Sequence, residues 1–179
     1  MTKAQRWQEV SRETAYRKYS QVIERRDYKM PNGEIRDYYV RLEPAAVCIF
    51  ALTVDNKVIT LPQYRPGPDA ILRELPGGRI DTGESPTEAG LRELLEETGY
   101  KGILQDWAGN WQADAYTEMD RKVIIVKDCK KVAEQRLEPT EFGEVELVSI
   151  PLFVTQVRAG KLTDTAGAML ALDHLGLLL

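Results

Sequence analysis

The sequence predicts an α/β fold (α+β) in which a mixed sheet lies between helices, preceded by a β-hairpin extension. Three observations carry that expectation. Strand-like apolar runs stand both before and after one well-capped helix at 85–99. Residues 45–52 form a continuous apolar run, as a strand buried on both faces requires. Two further helical stretches follow the last strand, beginning near Pro151. A length of 179 residues suits one domain with a sizeable core and a small extension. We therefore divide the chain into an extension at 1–43 and a main domain at 44–179.

In chain order, residues 19–25 and 35–42 have strand character. They are separated by the turn signal Met30-Pro31-Asn32-Gly33, which makes them a hairpin. It serves either as decoration or as a dimerisation arm that also reaches the substrate. Its aromatic residues, Tyr28, Tyr38 and Tyr39, supply contact area and faces on which a base can stack. After the central strand, Asp55-Asn56-Lys57 is a turn and 58–61 returns as the antiparallel partner. Gln63-Tyr64-Arg65-Pro66 leaves that strand. The Arg65 guanidinium offers a fork that matches a pyrophosphate, a geometry lysine does not provide. Residues 71–76 form a short strand leading into a glycine-rich loop at Gly77-Gly78.

The helix that follows is marked at both ends. Ser85 is its N-cap, Pro86 its first residue and Glu88 the third position of a capping box, while Gly99 stops it. Leu91, Leu94 and Leu95 are expected to form its apolar stripe. Glu93, Glu96 and Glu97 stand three and four residues apart, on one face. Carboxylates so placed repel one another, and a divalent cation relieves the conflict. Hard oxygen donors suit Mg²⁺ or Mn²⁺, and Mg²⁺ also binds substrate phosphates. The Gly77 carbonyl is a further candidate ligand. Arg92 and Glu84 are expected to pair, holding the loop against the helix and orienting the metal ligands.

Beyond the helix, 100–111 reads as a strand bent near Gly109, 112–120 as a loop over the site, and 122–127 as another strand. Residues 134–144 are acidic and irregular, 145–150 form the last strand, and 151–160 is helical. Asp164 caps a final helix whose apolar face comprises Ala168, Leu170, Ala171, Leu172 and Leu175.

Composition excludes several classes. The net charge is −4 with no basic stripe, which argues against nucleic acid as a partner. No run approaches the roughly 18 apolar residues of a membrane span. The N-terminal ten residues lack the apolar core of a signal peptide, so the cytoplasm is the expected compartment. Cys48 and Cys129 lie in or beside apolar strands far apart in sequence and are expected as buried free thiols.

The spacing from Gly78 through Glu84, Arg92-Glu93-Leu94, Glu96-Glu97 and Gly99 to Tyr100 resembles the Nudix box at every defined position. The resemblance implies an α/β/α sandwich and a metal-dependent hydrolase. Outside the box, Gln63-Tyr64-Arg65, Glu74-Leu75-Pro76-Gly77-Gly78, the acidic loop at 138–144 and the run 160–164 resemble the group that hydrolyses ADP-ribose and other nucleoside diphosphate sugars. The expected substrate is ADP-ribose, cleaved to AMP and ribose 5-phosphate. The alternatives are GDP-mannose or another nucleoside diphosphate sugar, or a house-cleaning nucleoside triphosphate pyrophosphohydrolase. By the same resemblance the general base comes from the acidic loop, Glu141 first and Glu144 second, acting with Glu97. Arg65, Arg79 and Tyr28 are the substrate-binding candidates. A homodimer is implied, in which the extension reaches the partner's pocket. Two positions depart from the group. Ala115-Tyr116 stands where a proline is common, and Gly143 where a carboxylate is expected.

Overall fold

The computed structural model describes residues 3–178. It divides into two compact units, Met1–Pro44 with Gln112–Asp120, and Ala45–Trp111 with Arg121–Leu179.

The first unit is a four-stranded sheet. Strands β1 (Gln8–Lys18), β2 (Gln21–Lys29) and β3 (Ile35–Leu42) are joined antiparallel, and β9 (Thr117–Glu118) adds in parallel beside β3. The expected hairpin is therefore the β2–β3 half of a larger sheet. Strand β1 escaped the sequence reading because all eleven of its residues are exposed, so its alternation of charged and apolar side chains marks no buried face. The segment 112–120, expected as a loop over the site, belongs instead to this unit through the β3–β9 pairing. Trp7, Tyr28, Tyr38 and Tyr116 form one aromatic cluster, with centroid separations of 5.4–6.4 Å.

The second unit is built on β4 (Ala46–Thr53), whose residues after Ala46 are all buried. Alternation along β4 sends its side chains to opposite faces. Val47, Ile49 and Ala51 join Ala89 and Leu94 of helix α1 (Pro86–Thr98) in one core. Cys48, Phe50 and Leu52 join Phe153 of α2 (Ile150–Arg158) and Ala168, Ala171 and Leu172 of α3 (Thr165–His174) in the other. The apolar run thus makes the middle layer of an α/β/α sandwich. The sheet order is β11-β5-β4-β10-β8, using β5 (Lys57–Arg65), β8 (Tyr100–Trp111), β10 (Arg121–Lys131) and β11 (Glu146–Ser149). Strand β10 runs parallel to β4 and antiparallel to β8, so the sheet is mixed. Strand β6 (Ala70–Glu74) pairs with β5.

Three local expectations change. Gly77-Gly78 is not loop but strand β7 (Gly77–Arg79), paired with β4. The buried face of α1 comprises Ala89, Gly90, Leu94, Glu97 and Thr98, whereas Leu91 is exposed and Leu95 half-buried. Close contact with the sheet selects small residues there, and a Cβ on Gly90 would lie 2.5 Å from Ile124. Asp164 stands at the start of α3 without a side-chain bond to it, because its carboxylate accepts from Arg121 Nη1 at 2.8 Å. Both cysteines are free and buried.

Candidate active site

The site grows from the ends of α1. At its N-terminus the Ser85 hydroxyl accepts from Glu88 N, and the Glu88 carboxylate accepts from Ser85 N at 2.8 Å, a complete capping box. At its C-terminus Gly99 has φ 74°, the left-handed conformation that ends a helix, and its N–H donates to Leu95 O. Strand β7 brings two glycines against this helix. A Cβ on Gly78 would lie 2.5 Å from Glu93 Cδ, so the missing side chain is what lets the carboxylate lie on the backbone.

The carboxylates face different partners. Glu97 is 8 % exposed, and its Oε2 accepts from Gly77 N at 2.7 Å. Burial pushes its pKa up to about 8, against the pull of that N–H, and the charges of Glu141, Glu93 and Glu74 add to the rise. Burial also raises the Glu93 carboxyl, although Arg92 opposes the shift. Glu93 Oε1 and Glu96 Oε2 both accept from Arg92 Nη1, at 2.8 and 3.4 Å. Arg92 grips Glu84 through two further bonds, Nε to Oε1 at 3.0 Å and Nη2 to Oε2 at 2.9 Å, and Nη2 also donates to Arg79 O. One guanidinium therefore joins the strand, the loop and the helix. Among the described residues no three His, Cys, Asp or Glu share a point at metal-ligand spacing, since Arg92 draws Glu93 and Glu96 while Glu97 turns to Gly77. The donor chemistry fits a hard divalent cation: three carboxylates within one and a half turns, with Glu97 buried and Glu93 half-buried at the expense of their charged forms.

A cavity of about 410 Å³ opens beside this helix. Gly77, Glu97, Arg65 and Arg79 line it, so four of the expected residues come together there. The Arg65 fork is already engaged: Nε donates to Glu74 Oε1 at 2.5 Å and Nη2 to Oε2, and Glu74 is buried. Glu141 lies outside the lining, but its charge is felt at both Glu93 and Glu97. Glu144 lines a different cavity, of about 390 Å³, with Lys131 and Gln135. Tyr28 belongs to the first unit, where it shares a cavity with Trp7, Arg12 and Arg26.

Sequence reading missed Glu74, Trp111, Arg121 and Asp164 as lining residues. Arg121 comes to the cavity through the parallel register Arg121↔Ala46, a long-range pairing with no local signal. Asp164 carried only a capping signal. Burial raises its carboxyl and Arg121 counters the rise.

Comparison with known proteins agrees with this architecture. The NUDIX domain family matches residues 42–166. The chain is 36 % identical over 137 residues to the ADP compounds hydrolase NudE of Escherichia coli, covering 74 % of this chain and 73 % of that protein. It is 29 % identical over 144 residues to the ADP-ribose pyrophosphatase of Bacillus subtilis, covering 79 % and 78 %. It is 37 % identical over 81 residues to the methanol dehydrogenase activator of Bacillus methanolicus, where it spans under half of that protein, 44 %. A crystal structure of an ADP compounds hydrolase superposes with a TM-score of 0.76 at 22 % identity, over 99 % of this chain and 100 % of that one, and shares the fold. With the family match spanning more than half of the chain and the glutamate-bearing helix in place at its centre, the chain belongs to the Nudix family and is a Nudix pyrophosphohydrolase.

Proposed function

We propose that this protein hydrolyses the pyrophosphate bond of a nucleoside diphosphate sugar, ADP-ribose first, giving AMP and ribose 5-phosphate with Mg²⁺ or Mn²⁺. The observation that carries the reading is one cavity lined by Gly77 and Glu97 together with three arginines, Arg65, Arg79 and Arg121. Arginine matches a diphosphate in charge and planar geometry. The names of the Escherichia coli and Bacillus subtilis relatives, hydrolases of ADP compounds and of ADP-ribose, support the choice of substrate.

Glu93, Glu96, Glu97 and the Gly77 carbonyl would hold the metal. When bound, it neutralises phosphate charge and acidifies a water. Residues of the chain do the remainder. Glu141, with Glu144 as second choice, accepts the proton of the attacking water. Arg92, tied to Glu84, fixes the helix face on which the carboxylates stand. Arg79 orients the diphosphate, and Arg65, whose Nε and Nη2 are held by Glu74 at the cavity wall, adds its charge. Tyr28, in the aromatic cluster, is proposed to stack on the base in a homodimer whose extension, 1–43, serves the partner's site. The test is purified protein with Mg²⁺ against ADP-ribose, GDP-mannose, UDP-glucose, diadenosine polyphosphates and 8-oxo-dGTP, with products identified. Release of AMP and ribose 5-phosphate at the highest kcat/KM is the expected result. Preference for 8-oxo-dGTP would overturn the sugar-nucleotide reading.

A further inference from the structure

The irregular stretch between β10 and β11 is bonded at both ends. At its start Val132 N and Ala133 N donate to Gly99 O, and Arg136 N donates to Glu96 O at 2.7 Å, so the loop covers carbonyls that α1 leaves unpaired. At its end Gly143 lies against β5, where a Cβ would come 2.5 Å from Pro62 O. This explains why a glycine stands where a carboxylate was expected: there is no room for a side chain. Between the two ends is a turn closed on itself. Glu141 N donates to Glu138 O at 2.9 Å, and Glu138 N donates to Glu141 Oε2 at 3.0 Å, which sets the direction of the Glu141 carboxylate.

One side chain joins start, end and helix. Gln135 Nε2 donates to Glu97 O at 2.8 Å and to Gly143 O at 3.4 Å. Both neighbours are carbonyls, so only the NH₂ side of the amide can face them. We infer that Gln135 is a positioning residue, whose amide clasps the end of the loop at Gly143 to the C-terminal end of α1 and, by holding both ends of the segment that carries the Glu138–Glu141 turn, fixes Glu141 relative to Glu93 and Glu97. The inference rests on the assignment of Glu141 as proton acceptor. A shift of about 1 Å in a reacting group costs on the order of 10²-fold in rate, so the loss should appear in kcat and leave the pocket's affinity for nucleotide alone.

The experiment uses the full chain with Mg²⁺ and ADP-ribose, and the variants Gln135→Leu, Gln135→Glu, Glu141→Gln and the double variant Gln135→Leu/Glu141→Gln. Leu removes the donors at similar size, and Glu replaces them with acceptors that repel both carbonyls. Each is expected to lower kcat about 10- to 100-fold with KM changed less than about threefold. In the Glu141→Gln background the Leu substitution should add less than about threefold, because the group it positions is already gone. A residue that only supports the fold would give losses that multiply. Hydrogen exchange without metal or substrate supplies a readout independent of turnover: Gln135→Leu should speed exchange at 136–138 and 140–143 and leave the β10 amides at 123–126 unchanged. Wild-type kcat or unchanged exchange in Gln135→Leu, or multiplying losses in the double variant, overturns the clasp. Wild-type kcat in Glu141→Gln overturns the assignment of Glu141, and the clasp with it. That result is distinguishable from failure of the clasp itself, in which Glu141→Gln loses turnover and Gln135→Leu does not.

Discussion

At the residue scale Glu97 and Arg92 do opposite work. Glu97 is a carboxylate disfavoured as an anion by its own burial, held by one N–H from Gly77. Glutamine keeps its shape and can still accept that bond, so Glu97→Gln removes charge without removing the fold. We expect it to lose most of the turnover and to melt at or above the wild-type temperature. Saturating EDTA should abolish wild-type turnover for the same reason, since uncompensated carboxylates form no binding site for a diphosphate. Full activity in EDTA, or in the variant, would remove the metal from the mechanism. Arg92 is the common partner of Glu84, Glu93 and Glu96. Arg92→Ala leaves three carboxylates without it, and residues that orient metal ligands typically carry about 10- to 100-fold in activity. Lower kcat together with a lower melting temperature is expected, and Arg92→Lys should recover little, because one ammonium cannot reach Glu84 through two bonds and Glu93 as well. The same two residues show what was legible at this scale. The box spacing named the Arg92–Glu84 pair and put the three glutamates on one helix, but it did not show that Glu97 turns to Gly77 while Glu93 and Glu96 take Arg92. It did not reveal that Arg65 holds Glu74, since β6 pairs Glu74 with Leu61 and the contact is made by the Arg65 side chain reaching along β5, which no local pattern records.

At the scale of elements the informative contact is between β7 and α1. Strand β7 is three residues long, and its glycines let the Glu93 carboxylate lie against its backbone. In Gly78→Ala the new methyl would overlap that carboxylate. Glu93 is a flexible side chain and can swing away, so the variant should fold, with a melting temperature within a few degrees of wild type, and lose metal affinity and kcat. Isothermal titration with Mn²⁺ alongside thermal melting separates the two effects, and unchanged Mn²⁺ affinity would show that Glu93 does not depend on this approach. Elements were legible where one principle dominated. The capping box and Gly99 placed α1 to the residue, and the unbroken apolar run placed β4. Its buried face was misread because hydrophobicity pointed to Leu91, whereas packing against Ile49 and Ile124 chose the small residues Ala89 and Gly90. Asp164 was misread in kind: the position matched an N-cap, but a guanidinium from β10 competes better for its carboxylate than backbone N–H groups do.

At the scale of the whole molecule the open matter is assembly. Strand β1 has no buried or half-buried residue, and Val10, Tyr16 and Ile35 of the first unit are each about half exposed or more. Tyr19 is 90 % exposed at the β1–β2 turn with φ 52°, a conformation that costs energy for a residue other than glycine. A sheet with so little buried apolar surface draws limited stability from itself, and charged side chains along β1 are paired within the sheet, as in Arg12 with Glu9 and Glu24 and Glu13 with Arg25. A second copy of the chain would supply the missing cover. We therefore expect light scattering on the full chain to give the mass of a dimer. Deleting residues 1–42 should produce a monomer whose KM for ADP-ribose is raised, or which no longer turns it over, because Trp7, Tyr28 and Tyr38 of the aromatic cluster leave with the segment. Melting of the truncated chain serves as the control: the second unit contains both apolar cores, so a cooperative transition should persist. A full-length monomer that hydrolyses ADP-ribose with the same KM as the truncated chain would reject the shared pocket and leave the four-stranded sheet without a role in catalysis.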